Sequence, residues 1–146
     1  MTIIVDANIL ISGIINPNGP IYEMLLLKNK EIDFVTSVFA IEEIVLHKAK
    51  VCKGAKISEA QFEYILASFL SRILQFSPDS ISQIHIAKAQ NLVESIDPKH
   101  AWYVAFTLAL DALLWTGDMK LYKGLRRKKF LSIITTSEVR EIINGV

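Results

Sequence analysis

The sequence predicts an α/β fold, a three-layer α/β/α sandwich with a mostly parallel central sheet. Short β-branched runs alternate along the chain with longer segments of helical periodicity. Acidic residues directly follow two of the predicted strands, at the sheet edge where ligands bind in such folds. The length of 146 residues fits a single domain spanning 1–146.

The apolar N-terminal stretch is interpreted as a strand, with its β-branched run at Thr2–Val5 ending at Asp6. Turn residues at 16–19 precede Pro20, a favourable first residue for a helix over 21–29. This part of the chain therefore begins as a strand followed by a helix.

A second strand at 34–36 leads to Ser37, the predicted N-cap of a helix that runs to about residue 50. The sequence from Ser58 to Gln61 has capping-box spacing and predicts a helix to about residue 70. Another helix is predicted over 82–93. These last two helices are expected to form an insert between the strand–helix units.

The loop at 95–98 starts a helix over 101–110 that is apolar almost all round, so it must be covered on most sides. A buried strand follows at 113–116 and ends in Gly117-Asp118. The last predicted elements are a strand at 132–135 and a helix beginning near Ser137. The helix over 101–110 is therefore expected at the centre of the fold.

Cysteine usage and hydropathy exclude several classes of protein. The single cysteine, Cys52, rules out an internal disulfide, and the longest strongly apolar run, 101–110, is about half of the roughly 20 residues that cross a bilayer. We expect a cytoplasmic protein with no membrane span. The hydrophobic content, 51%, leaves enough apolar surface for a homodimer or a higher homo-oligomer.

Basic charge is concentrated near the C-terminus. Residues 1–119 hold 9 Lys/Arg and 13 Asp/Glu, whereas residues 120–146 hold 7 and 2. The ten positions from 120 to 129 carry six cations, namely Lys120, Lys123, Arg126, Arg127, Lys128 and Lys129. This basic cluster is either a surface that faces RNA phosphates or a solvated loop.

Acidic residues follow the predicted strands in a pattern that favours a metal site. Asp6 ends the first strand and Asp118 ends the strand at 113–116, so a parallel sheet places both at the same edge. Glu43 lies near the second turn of the following helix, and Asp97 opens the apolar helix. Each acid alone is an ordinary N-cap or turn residue, but a converging set suits a hard cation such as Mg²⁺ or Mn²⁺.

Four segments, in order, resemble the successive motifs of the PIN-domain nucleases. They are Val5–Ser12, Thr36–Ile44, Asp97–Ala101 and Trp115–Asp118. The similarity is greatest to the compact prokaryotic branch of VapC-like toxins of toxin-antitoxin systems. It implies a PIN-like fold, an RNA substrate, metal-dependent hydrolysis by activated water, and an antitoxin protein as a candidate partner.

The resemblance also implies roles for individual positions. Asp6, Glu43 and Asp118 match acidic metal-site residues of the family. Three polar positions match residues that support the site, namely Asn8, Ser12 and Thr116.

One position departs from the family pattern. The family usually has an acid immediately before the alanine of the buried helix, and this chain has His100 there, with Asp97 three residues earlier. If the helix begins this early, the two side chains share a face one turn apart. Asp97 is the favoured replacement ligand because Mg²⁺-type sites use oxygen donors, with His100 as the alternative ligand.

The remaining polar and aromatic candidates are assigned structural roles. His47 and His85 have no second ligand at close spacing, so we interpret them as surface or boundary residues. Asp111 is expected in a turn at the opposite sheet edge. Trp102 and Trp115 are able to stack on RNA bases, but both are expected to pack in the core.

Three functional classes therefore remain. The leading hypothesis is a Mg²⁺- or Mn²⁺-dependent endoribonuclease. A catalytically silent PIN-like module that binds RNA or protein is the first alternative, because His100 replaces an acid. A receiver-like phosphotransfer domain is the second, although such a domain has adjacent acids after its first strand, and this chain has only Asp6 there.

Overall fold

The central sheet of the protein has five parallel strands. The computed structural model describes residues 1–145, so residue 146 of the predicted domain lies outside the described part. The strands are β1 (Thr2–Val5), β2 (Asp33–Ser37), β3 (Leu74–Phe76), β4 (Leu113–Trp115) and β5 (Ile133–Ile134). They are arranged in the order β3-β2-β1-β4-β5, with Ile3 paired to Phe34 on one side and to Leu113 on the other. Receiver domains have the order 2-1-3-4-5, so this sheet excludes the receiver-like alternative.

Two groups of helices cover the two faces of the sheet. The helices are α1 (Ala7–Ile15), α2 (Pro20–Leu26), α3 (Val38–Leu46), α4 (Lys48–Ala55), α5 (Glu59–Leu70), α6 (Gln83–Val93), α7 (Ala101–Ala109), α8 (Met119–Arg127) and α9 (Thr136–Asn144). Helices α1 to α5 contact one another, and α6 contacts α7 and α8. The predicted three-layer sandwich is therefore confirmed.

The core contains the strands and the apolar helix α7. Ile3, Val5 and Leu114 are fully buried, and α7 buries its residues 103–107. Trp115 is also buried, and its indole N–H donates to Thr136 Oγ1 at 3.0 Å. The predicted central position of this helix is confirmed. Within residues 1–145, every helix is too short or too polar to span a membrane.

Two of the predicted helix starts are confirmed at the level of hydrogen bonds. Ser37 Oγ accepts from the backbone N–H groups of Phe39 and Ala40. Ser58 and Gln61 form a reciprocal capping box at the start of α5. Such caps satisfy backbone donors that the first helical turn leaves unpaired. Because this requires particular residue types at fixed spacing, these two helix starts can be predicted from the sequence.

One helix was predicted as part of a strand, and two predicted helix ends are wrong. Residues 7–15 form α1 and do not extend the first strand, because Asp6 caps a helix there. The helix expected over 21–29 ends at Leu26. The helix expected to reach residue 50 breaks at His47, and the separate helix α4, which begins at Lys48, buries Val51 and Cys52.

The helices at 59–70 and 83–93 do not form an insert. Between them lies β3, which pairs in parallel with β2 and extends the sheet at its edge. This strand has only three residues, and Leu74 is exposed, so its sequence lacks the apolar pattern of a buried strand. The cations at 120–127 also lie on a helix, α8, and not in a loop.

Gly13 provides a test of packing between α1 and α5. A Cβ atom at this buried glycine would lie 2.9 Å from Phe69 Cζ and 3.3 Å from Leu25 Cδ1. Gly13→Ala is therefore expected to destabilise the fold by about 1–3 kcal/mol, measured by urea denaturation. The matched control is Gly54→Ala in α4, where a Cβ has no neighbour within 4 Å, and where we expect about 0.5–1 kcal/mol of stabilisation. Equal effects at the two positions would contradict this packing.

Candidate active site

Three acids at the carboxyl edge of the sheet each cap the start of a different helical segment. Asp6 follows β1, and its Oδ1 accepts from the backbone N–H of Asn8 at 3.3 Å at the start of α1. Asp118 follows β4 and caps α8 through the N–H of Leu121 at 3.1 Å. Asp97 caps the short 3₁₀ turn Pro98–His100 in the same way. In all three residues, the Oδ1 atom is the capping atom.

The other oxygen of each acid faces His100. Asp6 Oδ2 lies 3.5 Å and Asp118 Oδ2 lies 4.0 Å from His100 Nε2. Asp97 Oδ2 lies 3.1 Å from His100 Nδ1. Asp97, His100 and Asp118 each offer a ligand atom within 4.8 Å of the other two. The apolar helix α7 begins only at Ala101, but Asp97 is the N-cap of the 3₁₀ turn that ends at His100, and this turn brings the two side chains together.

The electrostatic balance of this cluster depends on His100, which is buried. Burial lowers the pKa of the imidazole, but the hydrogen bond to Asp6 and the charges of Asp6, Asp97 and Asp118 outweigh this effect and raise it. The Nδ1 atom is within 3.1 Å of Asp97 Oδ2, yet it has no aligned hydrogen-bond partner within residues 1–145. This nitrogen therefore faces the Asp97 carboxylate, with which it forms an ion pair when the imidazole is protonated.

Thr116 connects two of the acids. Its Oγ1 donates to Asp6 Oδ2 at 3.0 Å and accepts from the backbone N–H of Asp118 at 3.1 Å. Asp6 and Thr116 are both almost fully buried. The carboxylate of Asp6 is therefore fixed on both oxygens before any substrate arrives.

The other residues expected at the site lie outside this cluster. Glu43 is exposed on α3, and with Asn8 it lines a neighbouring groove of about 480 Å³. Ser12 is exposed one turn after Asn8 and lines a different depression, together with Thr136 and Arg140. The structure therefore brings together three of the four predicted acids, with His100 between them.

Tyr103 is a neighbour of the site that the sequence analysis did not identify. Its hydroxyl accepts from the backbone N–H of Ala7 at 3.4 Å, and its ring centroid lies 5.9 Å from that of His100. Burial, followed by the charges of Asp6 and Glu43, raises the pKa of the phenol. The sequence signal was a tyrosine one turn after His100 in an otherwise apolar helix.

The basic cluster is divided by the structure. Lys120, Lys123 and Arg127 recur at helical spacing on the exposed face of α8, opposite the buried residues Leu121 and Leu125. We call Lys120, Lys123 and Arg127 the α8 basic face. It begins two residues after Asp118, so its first cation lies in the first turn of the helix that this acid caps.

Two other cations of the cluster are engaged with the protein itself. Arg126 pairs with Glu138 at 3.3 Å and donates to the carbonyl of Ile133 at 3.0 Å. Lys128 Nζ donates to the carbonyl of Leu92 at 2.7 Å. Lys129 is exposed just after α8 with a left-handed backbone, φ 62°.

The residues set aside in the sequence have ordinary positions, with one exception. His47 is exposed, His85 Nδ1 is 2.9 Å from Ser82 Oγ, and Asp111 has a left-handed backbone after α7. Trp115 packs in the core as predicted. The same expectation is wrong for Trp102, which is 38% exposed at the start of α7, where it lines a cleft with residues of α6.

Solved structures of other proteins share the fold of this chain. The chain is similar in fold to VapBC2 from Rickettsia felis bound to a DNA fragment from their promoter, with 20% identity, 92% of this chain and 97% of that chain covered, and a TM-score of 0.67. It is similar to VapBC-1 from nontypeable Haemophilus influenzae, with 20% identity, 94% and 99% covered, and a TM-score of 0.66. It is also similar to FitAB bound to an IR36 DNA fragment, with 19% identity, 92% and 94% covered, and a TM-score of 0.57.

Family membership is established by sequence. Among curated proteins, none matches the chain. Residues 4–140 match the family described as PIN domain. Because this match covers most of the chain, the protein belongs to the PIN-domain family.

Proposed function

We propose that this protein is a metal-dependent endoribonuclease that hydrolyses RNA phosphodiester bonds. The observation that carries the proposal is the convergence of Asp6, Asp97 and Asp118 on His100 at the carboxyl edge of a PIN-domain sheet. An ion pair that only stabilises the fold needs a single carboxylate beside the imidazole. Three carboxylates around one histidine leave an excess of negative charge that favours a cation.

The donor set fits a divalent cation, Mg²⁺ or Mn²⁺. Carboxylate oxygens suit both ions, and a neutral imidazole at His100 would add a nitrogen donor that favours a transition metal. We propose Asp6, Asp97 and Asp118 as ligands, with His100 as a further candidate. When bound, such an ion lowers the pKa of a water molecule and offsets phosphate charge.

The chain's own residues would orient this site. Each helix cap fixes one carboxylate oxygen and leaves the other facing the cluster, and Thr116 holds Asp6 through a second hydrogen bond. Asn8 and Glu43 line the adjacent groove, where we propose that they contact the substrate side of the site. We propose that Ser12, which lies one turn further along α1, supports the site without contacting the acid cluster.

The proposed activity is tested by incubating the purified chain with labelled single-stranded RNA in Mg²⁺, in Mn²⁺ and in EDTA. We expect cleavage only with a divalent ion, with 5′-phosphate and 3′-hydroxyl ends. Equal cleavage in EDTA, or cleavage that purification of the chain removes, would contradict the proposal.

We further propose that the chain is the toxin component of a cytoplasmic toxin-antitoxin system. The motif resemblance to VapC-like toxins and the fold shared with the VapBC and FitAB structures support this assignment. An antitoxin encoded in an adjacent reading frame is the expected partner. Co-expression should restore growth that the toxin alone arrests, and the two proteins should copurify.

A homodimer or higher homo-oligomer is also proposed. Exposed large apolar side chains support it, among them Leu46 at 83% and Ile84 at 78% exposure. Light scattering of the purified chain measures the mass directly. A mass of 16.4 kDa at all concentrations would contradict an oligomer.

A catalytically silent RNA-binding module is the second candidate. It is favoured by one observation, the raised pKa of His100 among three carboxylates, because a protonated imidazole offsets the charge that a metal would otherwise neutralise. RNA binding without cleavage in either metal would favour this candidate over the nuclease.

The α8 basic face is expected to bind RNA phosphates. Replacing Lys120, Lys123 and Arg127 by Gln should weaken binding of unrelated RNAs about equally. The slope of log affinity against log salt should flatten by about 0.7 per lost contact. Arg126→Gln is the matched control, since Arg126 is paired with Glu138, and it should lower thermal stability with little change in the slope. An unchanged slope in the triple variant would mean that this face is a solvated surface that does not bind RNA phosphates.

A further inference from the structure

A cleft beside the acid cluster is not used by the proposed metal site. It has a volume of about 620 Å³ and lies between α6 and the start of α7. Its main lining residues are Gln90, Asn91 and Glu94 on one side and Pro98, Lys99 and Trp102 on the other. Because Pro98 and Lys99 lie between Asp97 and His100 in the chain, one turn of backbone forms part of both the cleft and the acid cluster.

Trp102 forms an exposed aromatic wall of this cleft. It is 38% exposed, and its ring packs edge-to-face against Phe39, with centroids 5.7 Å apart and an interplanar angle of 71°. Phe39 is itself 44% exposed and comes from the first turn of α3. An edge-to-face neighbour restrains the orientation of a ring. The indole is therefore held in place at the surface without being buried.

We propose that this cleft binds one unpaired base of an RNA substrate, stacked on Trp102. The proposal rests on the proposed ribonuclease function and extends it to substrate positioning. The volume lies within the range of roughly 300–1,000 Å³ that small organic ligands occupy. Base–aromatic stacking accepts any base, because every base has a flat π-face.

The polar lining favours a base over other groups of the substrate. The carboxylate of Glu94 repels a phosphate, and Gln90 and Asn91 carry amides that donate to and accept from the polar edge of a base. Lys99 is exposed, lines the cleft and lies between Asp97 and His100 in the chain, so we propose that it meets the phosphate attached to the bound nucleotide. This arrangement positions a nucleotide next to the proposed scissile phosphate.

The two tryptophans allow a direct spectroscopic test. Trp115 is fully buried and its N–H is bonded to Thr136, so quenching of fluorescence by an added ligand reports on Trp102. The probes are a hexameric single-stranded oligoribonucleotide and the same backbone with all bases removed, both in EDTA to prevent cleavage. We expect saturable quenching by the first and little by the second. Equal quenching by both, or binding of the hexamer without quenching, would overturn the proposal.

Variants of Trp102 give the second test. Trp102→Ala should raise the Kd for the hexamer and the KM for cleavage by about 5- to 150-fold, whereas Trp102→Phe, which retains a ring, should restore most of the affinity. Tyr64→Ala is the control, since Tyr64 is a 72% exposed aromatic residue on α5. If Trp102→Ala fails to fold, the Phe variant and the quenching experiment decide the question.

The outcomes separate this proposal from the ribonuclease proposal. Quenching by the hexamer without cleavage in any metal contradicts the nuclease and supports the base site. Cleavage by Trp102→Ala with an unchanged KM supports the nuclease and contradicts the base site. If Trp102→Ala changes the oligomeric mass and leaves the RNA affinity unaltered, the surface around Trp102 is a subunit contact and the proposal fails.

Discussion

Asp6→Asn is expected to reduce RNA cleavage by at least about a hundredfold while the chain remains folded. Asparagine retains an oxygen that caps α1, and it is as good an N-cap as aspartate. It removes the charge on the atom that faces Thr116 and His100. Changes in residues that only support a metal ligand cost about 10- to 100-fold, so the loss of a ligand should cost more. Initial rates with labelled RNA in Mg²⁺ and Mn²⁺ measure the effect.

Asp111→Asn is the matched control for this variant. Asp111 lies outside the cluster, in a left-handed turn with φ 48°, a conformation that asparagine also tolerates. It should cleave at the wild-type rate. In addition, Mn²⁺ should raise the melting temperature of the wild type and of Asp111→Asn more than that of Asp6→Asn. Wild-type cleavage by Asp6→Asn would show that the metal-site assignment is wrong.

The acid cluster shows which features of the candidate site can be predicted from the sequence and which cannot. From the sequence, N-capping and metal binding were competing explanations for Asp6, Asp97 and Asp118. In the structure, each carboxylate caps a helical segment with Oδ1 and directs Oδ2 toward His100, so capping leaves one oxygen free to serve the metal binding that we propose. Alternating strands and helices were enough to place Asp6 and Asp118 at one sheet edge. They were not enough to show that a single histidine contacts all three acids, since that depends on how α7 docks on the sheet.

The elements that the sequence missed have a common physical cause. The strand β3 is short and exposed at the sheet edge, so its apolar pattern is weak, and only pairing with β2 defines it. Trp102 was expected in the core because its neighbours are apolar. Its exposure depends on which side of α7 remains uncovered once α6 has packed. Both features are set by tertiary packing, which local periodicity does not encode.

His100→Asp should change the metal preference of the enzyme. The substitution restores the acid that the PIN-domain resemblance implies at this position, and it replaces the only nitrogen donor of the cluster within residues 1–145 by oxygen. Oxygen donors suit Mg²⁺, whereas imidazole favours transition metals. We therefore expect the ratio of the cleavage rate in Mg²⁺ to that in Mn²⁺ to rise by about tenfold or more. His85→Asp on α6 is the control for the same change of side chain at a histidine outside the cluster.

His100→Asp is also expected to lower the thermal stability of the protein when no metal is present. Four carboxylates would then meet with no imidazole between them, so the melting temperature in EDTA should fall below that of the wild type and recover when Mg²⁺ is added. Asp97→Asn should instead reduce cleavage in both metals, because it removes a proposed oxygen ligand and leaves His100 in place. An unchanged metal ratio in His100→Asp, combined with full activity of Asp97→Asn, would mean that neither residue binds the metal, and that the cluster around His100 only stabilises the start of α7.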